Sequence, residues 1–184
     1  MIDLKFQNAL EWAARAHDGH YRKGSLTPYI THPVAVAFIL AKQGCGGDVV
    51  IAGLLHDTVE DTQVTLAEIE GKFGAEVAAI VEGCSEPDKT APWHARKQHT
   101  INTLAIAPLS VKYVACADKL HNFATMQRDS QRLGQTFWQR FNQDYEQQKW
   151  YAHAVTKSLL KNINDDSIKP MFIELETLVK KFFI

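Results

Sequence analysis

Charge of one sign is what this chain most plainly lacks. Its formal net charge is −1 over 184 residues, whereas a surface that grips a phosphate backbone carries a strong basic excess. Nucleic acid is therefore not the expected partner. Cysteine is scarce too: Cys45, Cys84 and Cys116 are the three present, all in or beside apolar runs and none in a CxxC pair. An odd number in that setting speaks for inert thiols in a reducing compartment rather than a disulfide framework. No apolar run approaches membrane-spanning length and no secretory leader precedes the first helical pattern, so a cytoplasmic protein without a membrane partner is expected. Strand-like alternation, internal repeats, low-complexity tracts and linkers are missing as well. What is there is ordinary for a globular protein: 46% hydrophobic and 22% charged residues, in a length that one core can serve. The expectation is an all-α, single-domain chain over residues 1–184.

Helical spacing runs almost throughout. Phe6, Leu10, Ala13 and His17 share a face behind a cap at Asp3. After a loop from Gly19 to Thr31, His32-Pro33 opens a second helix with proline at its favoured first position. Gly46-Gly47-Asp48 precedes Val49 to His56, apolar on every side and so a central helix. Thr65 and Glu68 have capping-box spacing, and Gly74 separates that helix from one running to Cys84. A polar loop from Glu86 to Pro92 leads to helices over 93–106, 109–126 and 136–161, with Asp165 or Asp166 as the cap of a last one.

The chemistry concentrates in His56-Asp57-Thr58-Val59-Glu60-Asp61, which places four groups able to bind a metal or move a proton within six residues. Residues four apart share a helical face, pairing His56 with Glu60 and Asp57 with Asp61. An imidazole and a carboxylate suit Mn²⁺, Fe²⁺ or Zn²⁺, but an isolated His-Asp pair is more often a solvated helix end. A site needs further ligands. His32, at a helix start, and Asp118, inside the apolar stretch from Val111 to Leu120, are the candidates. Taken singly, His32 reads equally as a helix cap and Asp118 as half of a buried ion pair with Lys119 or Arg128. Asn122 and Thr125 follow Asp118 on one face and offer an amide and a hydroxyl to a ribose or base. Arg22-Lys23 and Arg96-Lys97 are basic pairs that suit phosphate, with a solvated surface as the alternative.

Read in order, Arg22-Lys23, Pro28-Tyr29-Ile30-Thr31-His32-Pro33, the string from Leu54 to Thr62, and Ala117-Asp118-Lys119-Leu120-His121-Asn122 resemble the HD superfamily of metal-dependent phosphohydrolases. More narrowly they resemble the hydrolase domain of RelA/SpoT-homologue alarmone enzymes, in the small hydrolase-only form. The resemblance implies one Mn²⁺ held by His32, His56, Asp57 and Asp118, with Glu60 and Asp61 activating or positioning water. It implies a nucleotide pocket at Arg22, Lys23, Asn122 and Thr125, with Lys97 and Tyr151 as further contacts. The implied reaction removes the 3′-pyrophosphate of guanosine tetra- or pentaphosphate. An adenine alarmone, a nicotinamide dinucleotide phosphate or a deoxynucleotide is the alternative substrate, and a non-catalytic nucleotide-binding domain the alternative class. Two departures stand out: Ala115 where the family often has lysine, and Cys116 where it has an apolar residue.

Overall fold

The computed structural model describes residues 3–86, 90–163 and 169–184. Ten α-helices and one 3₁₀ segment account for them, and the single β-type pairing among the described residues is an isolated antiparallel bridge between Tyr21 and Pro28. Helix α1 (Leu4–Ala16) starts where the Asp3 carboxylate accepts from the amides of Lys5 and Phe6. The bridge closes a hairpin in which the Arg22 amide donates to Thr27 and the Tyr29 amide to His20, and it delivers the chain into α2 (Thr31–Lys42).

Helices α2 and α3 (Gly47–Leu55) pack more closely than side chains usually permit, because a Cβ on Gly53 would lie 2.5 Å from Leu40 Cδ1. Every residue of α3 from Val50 onward is buried. The short helix α4 (Thr58–Asp61) follows after a break at His56 and Asp57. Helix α5 (Leu66–Phe73) carries the expected capping box between Thr65 and Glu68, and Gly74, at φ +96°, turns the chain into α6 (Ala75–Cys84). Helix α7 (Trp93–Ile106) leads to α8 (Leu109–Leu133), whose buried face from Val111 to Phe123 contacts α2, α3 and α6. One continuous core joins these helices to α9 (Tyr145–Leu160) and α10 (Pro170–Phe182).

Besides shifts of one or two residues, such as α2 opening at Thr31 so that Pro33 is its third residue rather than its first, two boundaries differ from the sequence reading. Helix α8 runs on past Met126, because nothing breaks it until Gly134 at φ +59°. The expected helix over 136–161 is two elements, a 3₁₀ segment (Gly134–Arg140) and α9, with the Asp144 carboxylate capping the latter by accepting from the Gln147 amide. The aromatic spacing that suggested one helix serves tertiary packing instead: Phe137, Trp138 and Phe141 pack on each other, and Trp138 stacks on Phe182 at 5.9 Å. The proposed caps Asp165 and Asp166 lie outside the described residues, and α10 begins with Pro170 after Lys169.

Lys112 is a buried cation with no carboxylate partner among the described residues. It is 2% exposed, and its Nζ donates to the Lys161 carbonyl at the end of α9 and the Ala105 carbonyl near the end of α7. Burial lowers its pKa from the usual lysine value. The Ser158 hydroxyl adds a second tie, donating to the Ile101 carbonyl.

Candidate metal centre

Three helices meet where His32 enters α2, His56 and Asp57 leave α3, and Asp118 sits midway along α8. One ligand atom from each of His32, His56 and Asp118 lies within 4.8 Å of the others. Asp57 stands beside them, its Oδ2 3.1 Å from His56 Nε2 and 3.5 Å from His32 Nε2. Asp118 Oδ1 is 3.2 Å from His32 Nε2 and 3.9 Å from His56 Nε2. None of these contacts has hydrogen-bond geometry: both Nε2 atoms are buried and without a hydrogen-bond partner among the described residues.

The opposite ring nitrogens are occupied. His56 Nδ1–H donates to the Gly53 carbonyl at 2.9 Å, and His32 Nδ1 meets His121 Nδ1 at 2.7 Å. A carbonyl only accepts, so neutral His56 carries its proton on Nδ1 and presents the Nε2 lone pair to the carboxylates. His121 sets the same tautomer on His32 when it accepts. Burial, then neighbouring His32 and Arg22, push its pKa down to about 4, which keeps the ring neutral. Metal-bound histidines are oriented in this way by a partner on the second nitrogen.

Charge in the centre is unbalanced toward the negative. Burial opposes a proton on His56, but Asp57 and Asp118 outweigh it and push the pKa up to about 9. Burial alone would raise both carboxyls. His56 outweighs it at Asp57, and Lys119 with His32 at Asp118, holding both well below the usual range. A centre that draws a proton onto a buried imidazole, and leaves two imidazole nitrogens unpartnered, fits a divalent cation with mixed nitrogen and oxygen donors.

Further residues hold the carboxylates. The Tyr29 hydroxyl donates to Asp57 Oδ2 at 2.7 Å, and Lys119 Nζ donates to Asp118 Oδ2 at 2.6 Å. The ion pair weighed for Asp118 from the sequence is thus present, on the oxygen turned away from the histidines. Asn122 Nδ2 donates to Asp118 Oδ1, while Asn122 Oδ1 accepts from Arg22 Nη2 at 2.6 Å. The amide expected to face a ribose therefore also ties the hairpin to α8.

The break after α3 leaves Glu60 and Asp61 on a turn of their own. They line a cavity of about 180 Å³ together with His56, Asp57 and Asp118. A neighbouring cavity of about 950 Å³ takes in Arg22, Lys23, Lys97, Asn122, Thr125 and Tyr151, and both share Tyr29, Lys97, Lys119 and Asn122. The Tyr151 hydroxyl is buried with no hydrogen-bond partner among the described residues, and Lys97 Nζ lies 5.2 Å from the Tyr151 ring centre. Lys97 is not free: it and Arg96 (2.7 Å) donate to the Glu86 carboxylate.

Sequence reasoning gave Tyr29, His121, Lys119 and Glu86 no role in a site. Tyr29 and His121 lie inside the quoted motifs, where a polar residue flanking a ligand was the available signal. Glu86 gave none.

The HD domain family model matches residues 9–145. A mouse protein named guanosine-3′,5′-bis(diphosphate) 3′-pyrophosphohydrolase MESH1 is 38% identical over 173 residues, spanning 90% of this chain and 92% of its own. A Streptomyces coelicolor GTP pyrophosphokinase is 39% identical over 125 residues, and there the match spans 66% of this chain but 15% of the relative. A solved structure, described as a metazoan ortholog of SpoT that hydrolyses ppGpp, aligns with a TM-score of 0.80 at 27% identity over 98% of this chain and 97% of that one.

Proposed function

The chain belongs to the HD-domain family, in the branch of the 3′-pyrophosphohydrolases, and on that premise we propose that residues 1–184 act as one metal-dependent hydrolase of ppGpp and pppGpp. The products are GDP or GTP and pyrophosphate. The hydroxyl of water joins the departing phosphorus, the bond to the 3′ oxygen breaks, and that oxygen takes up a proton. The observation that carries the reading is the pair of buried histidine nitrogens, unpartnered among the described residues, that face two carboxylates beside a small cavity sharing four lining residues with one large enough for a nucleotide.

His32, His56, Asp57 and Asp118 are the proposed ligands. Mn²⁺ is the proposed ion, suited to a set rich in carboxylate and imidazole. When bound, it supplies Lewis acidity and an acidified water. The side chains do the rest. Glu60 and Asp61, one turn beyond the ligands and lining the same cavity, take or relay the proton. Lys97 and Lys119 offset phosphate charge at the inner end. Asn122 and Thr125 face the nucleoside from α8, Arg22 and Lys23 approach it from the hairpin, and the Tyr151 hydroxyl offers a hydrogen bond that no other described residue uses. The partner is a small nucleotide, not nucleic acid, and the proposed setting is cytoplasmic. No described helix is long and apolar enough to cross a membrane.

The test is chromatography of products from ppGpp with and without Mn²⁺, beside a panel of 3′- and 5′-phosphorylated nucleotides. Pyrophosphate and GDP are expected. Glu60→Gln with Asp61→Asn should keep metal and nucleotide while turnover falls about 10²–10⁴-fold, the usual worth of a general base. Orthophosphate from the 5′ end with the 3′ group intact would replace this reading with that of a generic phosphatase.

A further inference from the structure

Both carboxylates of the metal centre are held from the hairpin that precedes α2. Asp57 Oδ2 is the oxygen turned toward the Nε2 atoms of His32 and His56, and it accepts from the Tyr29 hydroxyl at 2.7 Å. Asp118 Oδ1 is turned toward the same nitrogens, and it accepts from Asn122 Nδ2. Arg22 reaches both of these partners. Its Nη2 donates to Asn122 Oδ1 at 2.6 Å, and its Cζ lies 5.5 Å from the Tyr29 ring centre. One guanidinium therefore touches the group behind each of the two ligand oxygens.

The chemistry of these groups gives the connection a direction. A guanidinium carries only donors and a carboxylate only acceptors, so an amide set between them has one favourable orientation. Asn122 turns its oxygen to Arg22 and its nitrogen to Asp118. The flipped amide would set N–H groups against the guanidinium and a lone pair against the carboxylate. Arg22 thus fixes which way Asn122 faces, and its charge strengthens the donation to Asp118. At Tyr29 the hold is on the ring. The phenol lies beside Arg22 and packs on His17, which is 3% exposed, at 4.8 Å between ring centres. The hairpin is itself fixed, by the Arg22 amide on the Thr27 carbonyl and the Tyr29 amide on the His20 carbonyl. At its tip Gly24, at φ +70°, admits the Arg140 guanidinium so closely that a Cβ would lie 2.9 Å from Nε.

We propose that Arg22 is a positioning residue for the metal ligands, holding Asp57 and Asp118 in coordinating orientation through Tyr29 and Asn122. This rests on the ligand set of the hydrolase reading above and adds a second duty to the nucleotide contact given there. Arg22 holds the ion's ligands whether or not a nucleotide is bound.

The test is chelator competition for Mn²⁺ on the full chain with no nucleotide present, where a residue that contacts only nucleotide has no effect. Arg22→Met should weaken Mn²⁺ about 10–100-fold, the usual range for groups that orient metal ligands. Arg22→Lys keeps the charge but not the flat fork of donors, and should lie between parent and Arg22→Met. Asn122→Leu should also weaken the ion. Because Arg22 acts through Asn122, the loss in the Arg22→Met, Asn122→Leu double variant should fall short of the product of the single losses, an overlap that general damage to the hairpin does not produce. Parent-like Mn²⁺ affinity in Arg22→Met, or in Arg22→Lys where the methionine variant does not fold, overturns the proposal. So do losses that simply multiply. Turnover separates this from the hydrolase reading. A parent that releases pyrophosphate from ppGpp, with an Arg22→Met variant that holds Mn²⁺ as tightly, keeps the reaction and loses the positioning role. A parent whose hold on Mn²⁺ depends on Arg22 through Asn122, but which leaves ppGpp intact, does the reverse.

Discussion

The metal centre and the outer rim of the cavity handle charge in opposite ways. In the centre, charges are buried and almost every polar atom is engaged: Asp57 by Tyr29, Asp118 by Lys119 and Asn122, and each histidine by a partner on Nδ1. Among the described residues of the centre the two Nε2 atoms are left over, and the ligand atoms of His32, His56 and Asp118 lie within 4.8 Å of one another. At the outer rim of the larger cavity, Lys23, Arg128, Arg132 and Arg140 outnumber Asp129 and stay in reach of water. Burial makes the first arrangement specific, because an unpaired buried charge is too costly for more than one solution. Exposure makes the second adaptable, because solvent screens what a ligand does not take.

The largest effect that would test the contrast is His56→Ala. It should abolish metal retention, read by mass spectrometry, and turnover with it. A variant that holds Mn²⁺ like the parent would remove His56 from the ligand set. An intermediate effect is expected at His121, the orienting partner of His32. His121→Leu strands the buried Nδ1–H and should weaken metal about 10–100-fold in chelator competition, the usual range for such partners. His121→Gln, which keeps an acceptor, should recover part of it. Unchanged metal affinity in the leucine variant would mean that packing alone orients His32.

The smallest effect concerns Glu86, where the inner end can be made to resemble the rim. Burial opposes ionisation of this carboxyl, but Lys97 and Arg96 hold it below its usual value of 4.5. A depressed carboxylate pKa stabilises the fold fully above the unfolded value and loses that contribution as pH falls through the folded one. The parent should therefore lose melting temperature below about pH 4.5, with part of that loss due to Glu86. Glu86→Gln should start lower at neutral pH and fall less steeply in acid. Parallel curves for the two proteins would mean that the Glu86 pair contributes nothing to stability.

What was legible in the sequence follows the same division. His32, His56, Asp57 and Asp118 stand in short strings of fixed spacing, and α2, α3 and α8 bring the strings together. Of their supporting partners only Lys119, next to Asp118 in the chain, was legible as one, because His32 finds His121 across 89 residues and Arg22 finds Asn122 across 100. Spacing along a helix carries no sign of such pairings. The helical class was readable from periodicity, but the split between the 3₁₀ segment and α9 was not, since aromatic residues packing on Phe182 and Phe183 overrode the local pattern. The rim lies in that same stretch and at the end of α8, where the extension past Met126 was also missed.

Lys112 offers a clock for motion in the wall of the cavity. Its amine is enclosed between the ends of α7 and α9, the two helices that carry Lys97 and Tyr151. An acylating reagent reaches it only when those ends part, whereas exposed amines such as Lys180 react at once. Slow labelling at this one lysine therefore reports how often these two helix ends part, and an unchanged rate with nucleotide added would show that the ends do not respond to the ligand.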